Sequence, residues 1–403
     1  MKGVPENSAS APAYLETAAA VEEFVASIDG APTLAVDTEG ASFHRYHDRI
    51  YLLQLSTRDK HAIIDPLRAG TMHALGAVVE SRAVEIVFHD ADYDLRLLHQ
   101  DYGWQVANIF DTRLAAQLLG IRAFGLAALL QSFFGVRLDK RFQRADWSMR
   151  PLSKEMLAYA AQDTLHLLEL SEQLRKELAR RERWSWAAEE FERLEGTHWD
   201  DDDPATAFLR IKGARDLTRR ELAVLRELVP WREEVARELD RSTFRVVGNE
   251  VLLELCRRAP STKAELGTIK GMPRGMIETR SAGVLDAIKR GVAVAEGDLP
   301  RFPKSPRWAR DPDFDDRVNR LRQVRDAKAR ELDLEPGVLC PRERLEAIAR
   351  RQATSLEALA QVPDLRRWQI DVLGSDLVRA MGAPGGSRGA DTGASAGAQA
   401  AGA

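Results

Sequence analysis

The 403-residue sequence predicts a mixed α/β domain followed by two all-helical domains. Three observations carry this reading. Short apolar runs alternate with helix-spaced segments up to about residue 180, the pattern of one mixed sheet covered by helices. Beyond the acidic break Trp199-Asp200-Asp201-Asp202-Asp203-Pro204 every patterned segment is helical. The charge balance changes in the same place: residues 1–203 hold 22 Lys+Arg against 33 Asp+Glu, 204–292 hold 18 against 12, and 309–381 hold 14 of each.

The elements follow in order. Glu16 to Ile28 has apolar residues at helical spacing, stopped by Gly30-Ala31-Pro32. Thr33–Val36, Ile50–Leu55 and His61–Ile64 read as three consecutive strands, antiparallel because the turns are short. A helix over about 71–80 leads to the strand Val84–Phe88. Helices near 92–101, 112–119 and 125–134 follow, then an irregular stretch at 135–151 and one long helix over 153–180. The expected domains are 12–200, 204–292 and 313–381, with a Pro-rich spacer at 293–312 and a disordered Gly/Ala/Ser tail at 382–403. The two helical blocks look like a duplicated module, each with a charged helix, then a segment holding a Cys, then a further helix.

Composition excludes several classes. No run of 18 apolar residues exists, so no transmembrane helix is expected, and the first residues lack the basic head and apolar core of a signal peptide. Cys256 and Cys340 are the only cysteines. Two thiols support neither a disulfide scaffold nor a cysteine-ligated zinc site; they suit a reducing cytoplasm and are expected as small buried hydrophobes.

Three acidic clusters carry candidate chemistry. In Asp37-Thr38-Glu39, at the end of the first predicted strand, residues i and i+2 share a face and can converge on one ion. The plain alternative is an acidic turn. After Phe88 come Asp90, Asp92 and Asp94; Asp92 suits a helix N-cap, and Asp94 falls in the first turn, where the helix dipole favours a carboxylate. All three could merely start the helix. In Tyr159-Ala160-Ala161-Gln162-Asp163 the i, i+4 spacing stacks Tyr159 on Asp163, although Asp is a poor helix-interior residue. His166 lies one turn further on and could reach the same site or simply face water. Asp111 stands where a cap is expected before Thr112. His44, His47 and His89 show no partner pattern.

Taken in order, these clusters resemble the DEDD superfamily of 3′–5′ exonucleases, and the Tyr four residues before the last Asp resembles its DEDDy branch. With Leu53-Gln54-Leu55, Asp65-Pro66-Leu67, Asp111-Thr112, Asp146-Trp147-Ser148 and Arg150-Pro151-Leu152, residues 33–180 are similar to the bacterial ribonuclease D family. The blocks at 204–292 and 313–381 resemble the HRDC domains that follow it, the second more divergent. The resemblance implies an RNase H-like exonuclease fold and two-metal hydrolysis of RNA 3′ ends to 5′-monophosphates, with tRNA precursors among the substrates. It also implies roles: Asp37 bridging two ions, Glu39 and Asp163 completing one site, Asp94 serving the other, Tyr159 orienting the water. Carboxylates without Cys suit Mg²⁺ or Mn²⁺ rather than zinc.

RNA-binding candidates come from basic residues. Lys140, Arg141, Arg144 and Arg150 interleave with Phe142 and Trp147, a pattern suited to holding single strands; the alternative is a solvated loop with a core Trp. In the basic middle, Arg215, Arg219, Arg220, Lys263, Lys270 and Arg274 lie near helix starts and turns. They are expected to hold the RNA body, against the alternative that they pair with neighbouring Glu. A DNA exonuclease of the same superfamily and a catalytically silent RNA-binding scaffold are the other readings; the complete acidic set with its Tyr disfavours the second.

Overall fold

A computed structural model of the protein describes residues 12–199, 203–303 and 311–382. Asp200–Asp202 of the acidic break, residues 304–310 of the Pro-rich spacer and residues 383–403 of the tail lie outside the described residues. The described chain forms two compact units. One contains residues 12–116 and 123–303; the other contains 117–122 with 311–382.

The first unit begins with β1 (Ala13–Leu15), α1 (Ala18–Ser27), β2 (Thr33–Glu39), β3 (Leu52–Ser56), β4 (His61–Ile64), α2 (Pro66–Ala69) and α3 (His73–Val79). β5 (Glu85–Phe88), α4 (Asp92–Tyr102), β6 (Ile109–Asp111), α5 (Thr112–Leu118) and α6 (Leu126–Phe134) follow. Then come α7 (Lys154–Leu165), α8 (Leu167–Arg180) and α9 (Trp184–Leu194). The sheet order is β1-β4-β3-β2-β5-β6. β2 to β4 form the expected antiparallel meander, and the other pairings are parallel. β1 and β6, three residues each, escaped the sequence reading because period-2 alternation needs a longer run.

Alternation along the sheet separates two faces. Leu34, Val36, Leu53, Leu55, Ile64, Ile86 and Phe88 enter one core with α1, α3 and α4. Burying each such apolar side chain contributes about 1.5–3 kcal/mol. Leu52 and Ile63 enter a smaller core on the other face with Tyr51, Trp147 and Ala160. Asp37, Glu39 and Gln54 belong by the same alternation to this second face, which α7 covers. The expected single helix over 153–180 is two helices, broken at His166 (φ −113°, ψ 6°). α7 packs on β2, β3 and β4 and α8 on β2 and β5, so the break lets the segment follow the twist of the sheet.

Downstream, α10 (Arg219–Glu238), α11 (Thr243–Val246), α12 (Asn249–Arg258), α13 (Lys263–Leu266) and α14 (Arg274–Ala293) form a helical bundle in the same unit. Thr218 and Glu221 close a capping box at the start of α10. α14 approaches α10 so closely that a Cβ at Gly291 would lie 2.4 Å from Val224 Cα.

The second unit contains α15 (Phe314–Glu331), α16 (Pro336–Leu339), α17 (Arg342–Arg351), α18 (Leu356–Ala360) and α19 (Arg367–Gly382). Its succession of long, four-residue, ten-residue, short and long helices repeats that of α10 to α14. The cysteines are not the matching landmarks: Cys256 lies inside α12, whereas Cys340 is the extended residue between α16 and α17, where Val247 stands in the first bundle. Both thiols are free and buried, and burial pushes them up, Cys256 to about 12 and Cys340 to about 11.

Candidate active site

Asp37 is cross-strand partner to Gln54, and Glu39 to Leu52, so both acids sit on the sheet face beneath α7. α7 starts at Ser153, whose hydroxyl accepts from Met156 N, and is held to β3 by the buried Ser56–Thr164 hydroxyl pair at 2.7 Å. That anchor directs Asp163 towards the strand acids. One oxygen from each of Asp37, Glu39 and Asp163 lies within 4.8 Å of the others.

Of the three Asp after Phe88, only Asp94 turns inward. Asp90 pairs with Arg113, and Asp92 pairs with Arg96 on the next turn of the helix. Asp92 is not the N-cap; that residue is Ala91, and no side chain caps the helix. Asp94 accepts from the backbone N–H and hydroxyl of Thr38, the middle residue of Asp37-Thr38-Glu39. Thr38 therefore ties α4 to β2 and fixes Asp94 beside Asp37. Asp111 caps α5 by accepting from Arg113 N and Leu114 N, and it also accepts from Ala91 N at 2.8 Å.

The four acids have no internal cation: among the described residues no Lys or Arg pairs with Asp37, Glu39, Asp94 or Asp163. Burial, then the charges of Asp94 and Asp163, raises Asp37 well above the usual carboxylate range. Glu39 is raised well above it by burial and then by Asp163 and Asp94. Burial raises Asp94 to about 7 despite its hydrogen bonds from Thr38, and raises Asp163 to about 7. A cluster of hard oxygen donors whose charges are mutually uncompensated fits divalent cations.

Tyr159 lies one turn before Asp163, with ring centroids 6.0 Å from Trp147 and 5.8 Å from Phe142. Burial and the neighbouring Asp163, Glu39 and Asp37 push its phenol up, so it stays protonated at neutral pH. His166, at the helix break, faces the ring of Phe134 at 6.4 Å. The sequence reading did not single out Gln54 for a role. Its side chain is fully buried, and neither amide atom has a hydrogen-bond partner.

Several proposed RNA contacts are structural. Trp147 is 1% exposed, packed in the core under Tyr159, and cannot stack on a base. Arg150 donates to both oxygens of the fully buried Asp65, at 2.6 and 3.0 Å, and to the carbonyls of Tyr51, Trp147 and Met149. The Asp65-Pro66-Leu67 and Arg150-Pro151-Leu152 motifs are thus two halves of one ion pair. Arg219 donates to Leu299 O, and Arg220 to Val292 O and Val294 O. Both arginines therefore bind the chain end of the first bundle rather than facing solvent freely. Arg215 lies over the Phe302 ring, and Arg141 pairs with Asp139. Lys140, Arg144, Lys263, Lys270 and Arg274 are exposed and make no ion pair among the described residues.

A 3′–5′ exonuclease family model matches residues 12–179, and an HRDC domain model matches 221–288 and 314–381. The chain is similar to a ribonuclease D of Gluconacetobacter diazotrophicus, 32% identical over 86% of this chain and 87% of that protein. It is 30% identical to a ribonuclease D of Acidiphilium cryptum over 94% of this chain and 95% of the other. The fold matches the crystal structure of Escherichia coli RNase D with a TM-score of 0.71 and 22% identity, covering 92% of this chain and 98% of that one.

Proposed function

The chain belongs to the ribonuclease D family and is a metal-dependent 3′–5′ exoribonuclease; on that premise we propose that Asp37, Glu39, Asp94 and Asp163 hold two Mg²⁺ or Mn²⁺ ions and that Tyr159 orients the attacking water. The observation that carries this assignment is the convergence of three carboxylates within 4.8 Å, with Asp94 beside them and no Lys or Arg among the described residues paired with any of the four. When bound, such an ion pair supplies a nucleophile at neutral pH and neutralises charge on the departing 3′-oxygen.

The chain's own groups do the rest. Asp37, on a central strand of the sheet, would serve both ions, with Glu39 and Asp163 completing one site and Asp94 the other. Thr38 holds Asp94 in register. The protonated Tyr159 hydroxyl positions water and phosphate by hydrogen bonding; with its proton retained it does not act as a base.

The substrates are RNAs with a free 3′ end, tRNA precursors among them, released one 5′-monophosphate at a time. Lys140 and Arg144 flank the entering strand. Lys263, Lys270 and Arg274 bind the RNA body on the first HRDC domain (204–292), with 313–381 as the second. No helix among the described residues is long and apolar enough to cross a membrane, and the free, buried cysteines support a cytoplasmic setting. The test is incubation with 3′-labelled RNA and DNA, in Mg²⁺ and in EDTA. Release of labelled mononucleotide from RNA only with metal is expected. Equal release from DNA would make the enzyme a general nuclease, and release in EDTA would contradict the metal site.

A further inference from the structure

Two of the largest exposed apolar side chains stand against each other. Phe43, 55% exposed, and Phe244, 49% exposed, meet edge to face with ring centroids 5.9 Å apart. Phe43 belongs to the loop after β2, four residues past Glu39. Four residues of chain span at most about 14 Å, so the Phe43 backbone stands within that reach of Glu39. Phe244 comes from α11 of the first helical bundle.

The backbone beneath the rings is firmly held. Ser242 Oγ donates to Ser42 O at 2.5 Å, and Arg45 bonds Asp240 at 3.2 Å and Ser148 at 2.6 Å. His44 Nε2 bonds Arg144 O at 3.1 Å. Both rings nevertheless keep about half of their surface exposed.

The surroundings favour a polyanion. The Arg144 guanidinium lies over Phe43 at 6.0 Å, and Arg144 and the exposed Arg245 beside Phe244 make no ion pair among the described residues. Aromatic faces for bases with arginines for phosphates are the means by which single strands are held without sequence preference.

We propose that Phe43 and Phe244 form a stacking platform for the single-stranded RNA just upstream of the 3′ terminus, with Arg144 and Arg245 on its phosphates. The inference rests on the ribonuclease reading and adds a subsite to it. The platform joins the exonuclease domain to the first helical bundle, so a strand lying on it is held by both. An unpaired 3′ segment reaches it, whereas a dinucleotide occupies only the acidic site.

The experiment measures the affinity of the full chain for fluorescein-labelled oligoribonucleotides of two to ten residues by anisotropy in EDTA, alongside KM and kcat in Mg²⁺. Wild type should gain affinity as the strand lengthens past the platform. Phe43→Ala with Phe244→Ala should flatten that gain, weakening the longer strands on the order of tenfold to a hundredfold and raising KM more than it lowers kcat. Phe43→Tyr with Phe244→Tyr should restore the gain, and the corresponding Leu pair should not. Arg144→Gln should lessen the slope of log K against log salt by about 0.7. Unchanged length dependence in the Ala pair, or full binding by the Leu pair, would overturn the platform and leave the rings as a surface for a protein. Failure of wild type to cleave RNA at all would instead remove the ribonuclease reading, and this inference with it.

Discussion

Two buried acidic places share one face of the sheet and are treated in opposite ways. Asp65 is enclosed by Tyr14, Leu67 N and a bidentate Arg150. Burial alone would raise its pKa, but the Arg150 and Tyr14 hydrogen bonds outweigh it and hold Asp65 below its ordinary value. Asp37, Glu39, Asp94 and Asp163 have no arginine partner among the described residues and are all raised. At Asp65 the chain provides the counter-charge and obtains a brace for the loop before α7. At the cluster it withholds the counter-charge, which leaves room for cations from solution. The contrast separates an acid that is tied into the fold from acids left open to the proposed cations.

The largest effect should come from Asp37→Asn. Removing the bridging carboxylate is expected to lower kcat on 3′-labelled RNA by at least about 10²–10³-fold, the loss typical of one transition-state-stabilising group. RNA affinity measured in EDTA should be retained. At the other place, Arg150→Met should leave turnover per folded molecule far less altered but destabilise the unit, because Asp65 would be left buried without its partner. A loss of about 3–5 kcal/mol by chemical denaturation is expected. If Arg150→Met were neutral in stability, the distinction drawn between the two acidic places would fail.

Tyr159→Phe should be milder than Asp37→Asn in kcat and should leave metal affinity intact, since only the hydroxyl's hydrogen bond is lost. A full rate in this variant would remove the role assigned to Tyr159 and leave the carboxylates untouched.

Metal-free stability supplies a subtler comparison. Asp94 and Asp163 titrate near 7 when folded, against about 3.9 for an unperturbed Asp. The folded state thus binds more protons than the unfolded state between about pH 4 and 7, and stability falls as pH rises through that window. Asp163→Asn should remove at least one proton's share of the slope, roughly 1.4 kcal/mol per pH unit within the window, because the Asp163 charge also helps raise Asp37 and Glu39. Thermal melts in EDTA across that range should show the wild type losing more than the variant.

Much of this site was legible because it is local. The period-2 alternation of β2 places Asp37 and Glu39 on one face, and the i, i+4 spacing of α7 places Tyr159 above Asp163. The order of the motifs then distinguished an acidic site from three acidic turns. What was not legible is long-range. Arg150 and Trp147 read as RNA contacts because the sequence around them is basic and aromatic; the partner that claims Arg150 is 85 residues away. Arg219 and Arg220 failed in the same way, claimed by carbonyls more than 70 residues on. Phe43 and Phe244 are 201 positions apart, and nothing in either local pattern joins them. The break at His166 falls where the segment exchanges β3 and β4 for β5 as packing partners, a long-range change that helical periodicity does not encode.

The most direct test of the central claim is calorimetric titration of Mn²⁺ into the full chain and into Asp163→Asn, in the absence of RNA. Wild type should bind Mn²⁺, with a matching rise in melting temperature, and Asp163→Asn should lose most of both. Absence of binding to the wild type at millimolar Mn²⁺, or equal binding by Asp163→Asn, would contradict that claim.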